Sequence, residues 1–100
     1  MNKVKQLLYV EQSAAPQTPQ YFTRLVETSY GYVKFHFNRI CTAEGIQYHI
    51  SCMVPNRKVY FIQMAEILRQ WHITPASKCP LWIKELEIHF EKAILESRLS

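Results

Sequence analysis

Two stretches of this chain alternate apolar and polar residues strictly, with one turn-like segment between them. In residues 32–40, Val33, Phe35 and Phe37 fall on one side of an extended backbone, and Tyr32, Lys34, His36 and Asn38 on the other. In residues 46–54, Ile46, Tyr48, Ile50 and Cys52 share one side, and Gln47, His49, Ser51 and Met53 the other. The apolar side is odd-numbered in the first stretch and even-numbered in the second. If both apolar sides are to face one core, directly opposed residues must have numbers that add to an odd value. The intervening Thr42-Ala43-Glu44-Gly45 meets this condition when Cys41 faces Ile46. Phe37 then faces Ile50, Asn38 faces His49, and His36 faces Ser51. Gly45 supplies the positive φ that such a turn needs.

A hairpin with one apolar face needs a cover, and the C-terminal residues provide it. Residues 80–98 read as a helix opened by Pro80, with Trp82, Ile83, Leu86, Phe90, Ala93 and Ile94 in one broad apolar stripe. A second, narrower stripe of Leu81, Ile88 and Leu95 recurs every seven residues on nearly the opposite side, and Leu99 extends it. Upstream, residues 21–28 (YFTRLVET) are rich in aromatic and β-branched types and predict a strand, followed by a turn at Ser29-Tyr30-Gly31.

Residues 58–73 admit two readings. Helical spacing puts Phe61, Met64, Ala65, Leu68 and His72 on one stripe. A strand pair needs a turn inside residues 65–70, which hold no Gly, Pro, Asn or Asp. The helix is therefore the expectation. Residues 12–20 carry Pro16 and Pro19 in a polar linker, and residues 2–11 read as a short helix or an edge strand. The expected organisation is an N-terminal segment and linker over 1–20, then a single α+β domain over 21–100. That domain is a small antiparallel sheet, a meander of three to four strands, packed against C-terminal helices.

Composition narrows the chemistry. The chain has no Asp and only two Gly, which removes EF-hand loops, Ser-His-Asp triads and phosphate-cradling glycine loops. Its net charge of +4 is spread thinly, with Lys3/Lys5 and Arg57-Lys58 the closest basic pairs. Cys41, Cys52 and Cys79 are odd in number and form no C-x-x-C, which suits reduced thiols and a cytoplasmic setting. The apolar run Leu7-Leu8-Tyr9-Val10 is too short to act as a leader or a membrane span, so no membrane partner is expected.

Two surfaces are candidates for function. Leu81, Ile88, Leu95 and Leu99, flanked by Lys84, Glu85, Glu91 and Lys92, either pack under a helix at 58–72 or form an interface for another protein or for a second copy of the chain. The outward hairpin face, Tyr32, Lys34, His36 and His49, together with Arg57 and Lys58, is the alternative, a basic and aromatic surface for nucleic acid. His36 and His49 are diagonal neighbours, but zinc takes three or four protein ligands, so neither a metal nor another cofactor is expected. Cys79, before Pro80 at a helix start and beside Lys78, has the surroundings that favour a thiolate. Glu85, Glu87, Glu91 and Glu96 alternate with Lys84, Lys92 and Arg98 in the manner of a solvated helix face. No nucleophile and base stand at a diagnostic spacing. The expectation is a non-catalytic protein-interaction or regulatory module, homodimeric through the last helix, with nucleic-acid binding as the alternative.

Overall fold

The computed structural model describes residues 18–98; the segment 2–11 and Leu99 lie outside the described residues. Five strands follow one another, β1 (Tyr21–Thr28), β2 (Gly31–Thr42), β3 (Gly45–Met53), β4 (Val59–Ile67) and β5 (Gln70–Ile73), and then two helices, α1 (Leu81–Lys84) and α2 (Glu87–Ser97). The strands form one antiparallel sheet in the order β1-β2-β3-β4-β5, a meander with the helices on one face. The α+β class is as expected, with more strands than expected.

The parity argument holds at the centre of the sheet. Cys41 pairs with Ile46, Phe37 with Ile50, Asn38 with His49 and His36 with Ser51. Both flanking turns use one device. Thr28 Oγ1 donates to the Gly31 carbonyl at 2.8 Å and accepts from the Tyr30 N–H at 3.0 Å. Thr42 Oγ1 does the same with Gly45 at 2.7 Å and Glu44 at 3.2 Å. Gly31 (φ 88°) and Gly45 (φ 124°) take the positive φ that closes each turn.

The helix expected over 58–73 is a pair of strands instead, β4 and β5. Beyond β2, the other edge of β3 carries a row of N–H and C=O groups that a helix at 58–73 would leave unpaired. β4 pairs with it from Gln47↔Ala65 to Met53↔Val59. Ile62 and Met64 then point into the core while Phe61 points out, the reverse of a shared helical stripe. The turn that seemed to lack suitable residues is made by Leu68 and Arg69, both in the left-handed region at φ 53° and 69°. That conformation costs a non-glycine residue roughly 1–2 kcal/mol. The sheet pairing on either side, Ile67↔Gln70 to Met64↔Ile73, holds it there.

The expected helix over 80–98 is interrupted. Pro80 is the N-cap of α1, and Glu85-Leu86 form a break before α2. Phe90 is fully buried, edge-on to Phe35 (4.9 Å between centroids) and Phe37 (6.0 Å). Phe22 stacks on Phe37 at 4.5 Å, and Trp82 fits between Tyr30 and Tyr60. Glu87 and Glu91 are not a solvated face. One turn apart on α2, they accept the backbone N–H groups of Ile73 (2.7 Å) and Trp71 (2.9 Å) on the outer edge of β5. His72 Nδ1 lies 3.6 Å from the other Glu87 oxygen. The carboxylates thus close a strand edge that would otherwise be free to pair.

The β4–β5 turn gives a direct test. Replacing Leu68 with Asn and Arg69 with Gly installs residues that enter the left-handed region readily. The double variant is expected to gain about 1–2 kcal/mol and several degrees in Tm by thermal unfolding. A loss of stability would show that Leu68, 92% exposed, has a packing role at this tip.

Candidate functional site

The period-2 pattern and the register determine which residues leave the core. On the face away from the helices, β1 presents Tyr21, Thr23, Leu25 and Glu27, and β2 presents Tyr32, Lys34, His36 and Asn38. β3 adds Gln47, His49, Ser51 and Met53, and β4 adds Val59, Phe61 and Gln63. Tyr32, Lys34, His36 and His49 therefore share one surface, as the alternation predicts. The register makes His36 and His49 diagonal neighbours. His36 Nδ1 is taken up locally by the Tyr21 hydroxyl at 2.7 Å, with the two rings stacked 6.0 Å apart. Among the described residues, no group of three His, Cys, Asp or Glu is placed to hold a metal ion.

Arg57 and Lys58 do not join this surface. They belong to the β3–β4 turn, where Arg57 takes φ 65° and the Lys58 ammonium sits 5.3 Å over the Tyr60 ring. Tyr60 packs against the core on the helix side, so Lys58 is drawn to the opposite face.

Sequence reasoning missed Phe61, which is 74% exposed, more than Tyr32 at 71%. The helical reading of 58–73 had placed it in a buried stripe. A period-2 reading of Val59–Met64 would have put Phe61 outside with Val59, and Tyr60, Ile62 and Met64 inside. Met53 is exposed beside it on β3, and Tyr21 and Leu25 are exposed across the face on β1. The middle of the face is polar. Gln63 Nε2 donates to Gln47 Oε1, and residues 74–77 lie along β4, with the Gln63 N–H donating to Ser77 Oγ at 2.9 Å. Asn38, His49, Ser51, Phe61, Gln63 and Lys78 line a shallow notch there of about 430 Å³.

The second candidate surface is also exposed. With no helix at 58–72 to cover them, Ile88 (70%) and Leu95 (45%) face outward on α2, and Leu81 does so on α1. The break at Glu85-Leu86 means that these three do not share one continuous helix. Of the expected flanking charges, Glu91 is committed to the Trp71 N–H.

All three cysteines are free thiols. Burial pushes the Cys79 thiol up from its ordinary value, with Lys84 pulling weakly the other way. α1 spans four residues and offers little dipole, so the surroundings of Cys79 do not favour a thiolate. Burial also pushes Cys52 up, to about 11, while Cys41 is exposed.

Two outcomes are expected from this geometry. Replacing Ile88 and Leu95 together by Glu should leave the fold intact, with circular dichroism and Tm close to the parent, because neither side chain belongs to the core. Alkaline stability should follow Cys52. The unfolded thiol ionises near its ordinary value of 9.0 and the folded one near 11, so stability present below pH 9 is lost as pH rises towards 11. That loss is about 2–3 kcal/mol. Tyr48, raised by burial, adds to it in the same direction. Cys52→Ala should flatten the fall seen in denaturant titrations across this pH range, and an unchanged slope would assign the fall elsewhere.

Protein-family models, curated proteins and solved structures were each compared with this chain, and none matches it.

Proposed function

We propose that this protein is a non-catalytic interaction module that pairs with a second copy of itself through the outer face of the sheet. The observation that carries this reading is the exposed set Tyr21, Leu25, Tyr32, Met53, Val59 and Phe61. An antiparallel sheet covered on one side normally presents polar residues on the other. Large exposed apolar and aromatic side chains flanking the polar middle of such a face mark an interface.

The charges on the face suit an identical partner. Glu27 lies across from Tyr32, and Lys34 across from Leu25, so opposite charges stand side by side on neighbouring strands. A twofold axis lying in the plane of the interface, midway between Glu27 and Lys34, sets each Lys34 against the Glu27 of the other copy. Such pairing is self-complementary, as a dimer interface requires. Strands of 8, 12, 9, 9 and 4 residues, at 3.4 Å per residue and about 4.8 Å spacing, give a footprint of roughly 700 Å² per copy at most. Two copies reach the lower end of stable interfaces.

Light scattering after size exclusion tests the reading. The parent chain should run as a dimer whose mass does not change with salt. Tyr32→Glu combined with Phe61→Glu should run as a folded monomer. A parent that is monomeric at high micromolar concentration overturns the proposal. If the dimer survives these changes but Ile88→Glu with Leu95→Glu breaks it, the interface lies on α2 instead.

One observation favours a second reading, nucleic-acid binding. Tyr32, Lys34, His36 and His49 share the face, and Lys78 stands at its notch. Aromatic and cationic groups together suit a single strand. A salt-dependent mobility shift on oligonucleotides, lost in Lys34→Glu, supports that occupant.

A further inference from the structure

A second cavity lies on the opposite side of the sheet, at the end where α2 stops. It holds about 120 Å³ and is lined by Arg39, Ile46, Tyr48, Glu66, Trp71 and Arg98, with Thr18 at its rim. Four strands and the last helix converge here. Arg39 and Tyr48 are directly paired across β2 and β3, and Glu66 and Trp71 across β4 and β5. Arg98 is the C-cap of α2.

Three buried polar atoms on residues lining this cavity have no hydrogen-bond partner among the described residues, the Tyr48 hydroxyl and two nitrogens. The nitrogens are Arg39 Nε and Trp71 Nε1. Trp71 is 3% exposed, so its indole N–H has almost no access to bulk water. Guanidinium and indole nitrogens can only donate. Buried donors are nearly always satisfied in folded proteins, so two of them on residues that line one cavity call for an acceptor there. The charge balance says what kind. Two guanidiniums and one carboxylate line the space. Among the described residues, neither Arg39 nor Arg98 forms an ion pair with Glu66. Both arginine charges act on the buried Tyr48 phenol, which has Ser97 as its other neighbour. The volume is ample for one small oxyanion group.

We propose that this cleft binds a phosphate group, held by the Arg39 and Arg98 guanidiniums, with the Trp71 indole N–H as a neutral donor. The tetrahedral ion offers acceptor oxygens in several directions at once, which matches donors arriving from β2, β5 and the end of α2. Guanidinium is the side chain best suited to a phosphate oxygen pair. This site lies on the helix side and is independent of the outer sheet face.

The two tryptophans make the test specific. In a proton–nitrogen correlation spectrum of the full chain, Trp71 and Trp82 each give one indole N–H signal, and Trp71→Phe identifies them. Inorganic phosphate is titrated against sodium chloride at matched ionic strength. The Trp71 indole signal should move saturably with phosphate, while the Trp82 signal stays in place. Arg98→Gln, at an exposed position that tolerates change, should weaken the affinity about tenfold or more. Trp71→Phe keeps the ring in the core, and calorimetry should show severalfold weaker binding. Phenyl phosphate distinguishes the source: equal affinity indicates the phosphate end of a larger molecule, and weaker binding indicates the free ion. The proposal is overturned if phosphate leaves the Trp71 signal unmoved, if chloride moves it equally, or if Arg98→Gln binds phosphate as tightly as the parent.

Discussion

Phe90 meets Phe35 and Phe37 edge-on at the middle of the sheet, and this contact sets where α2 lies. Truncating such a ring typically costs about 3–5 kcal/mol, a large share of the stability of a domain this size. With Phe90 seated, Ala93, Ile94 and Ser97 follow it inward along one side of the helix. Glu87 and Glu91 then fall alongside β5, where their carboxylates take the Ile73 and Trp71 N–H groups. A carboxylate bonded to a buried strand edge holds both parts. It fixes the rotation of the helix and denies the edge to another chain.

The size of the helical layer explains what is left open. α2 has 11 residues, about 16 Å at 1.5 Å each. β2 has 12 residues, about 40 Å at 3.4 Å each. One short helix can cover the centre of one face and no more. The opposite face of the sheet stays bare, with Phe61 and Tyr32 exposed on it. At the end of α2 the cover stops short, and Arg39, Tyr48 and Trp71 line a small polar space in place of an apolar core. Both proposed surfaces therefore have one origin, too little helix for the sheet beneath it.

No helix among the described residues is long and apolar enough to cross a membrane. The exposed apolar side chains are arranged as a face and as a pair on α2. The two surfaces can be separated by substitutions that leave the core untouched.

The central hairpin was legible from the residues alone. A strand has a side-chain period of two, so one apolar face halves the permitted registers, and the four-residue turn at 42–45 selects the one with Phe37↔Ile50. The two Thr-x-x-Gly turns and the buried stripe of Phe90, Ala93 and Ile94 were legible for the same reason, since local chemistry and pattern agree there. Residues 58–73 were not. Their apolar residues fit a helical period as well as a strand, and Leu68-Arg69 has no turn chemistry of its own. The unpaired edge of β3 decided between the two, at the cost of two strained residues. The same decision turned Phe61 outward, drew Lys58 to the other face and left Ile88 and Leu95 uncovered. The polar cleft was equally hidden, because Arg39, Trp71 and Arg98 are distant in sequence and meet only where β2, β5 and α2 end together. Patterns with a period fix faces. Which faces find a cover, and which donors are left without an acceptor, is settled only when the layers are packed.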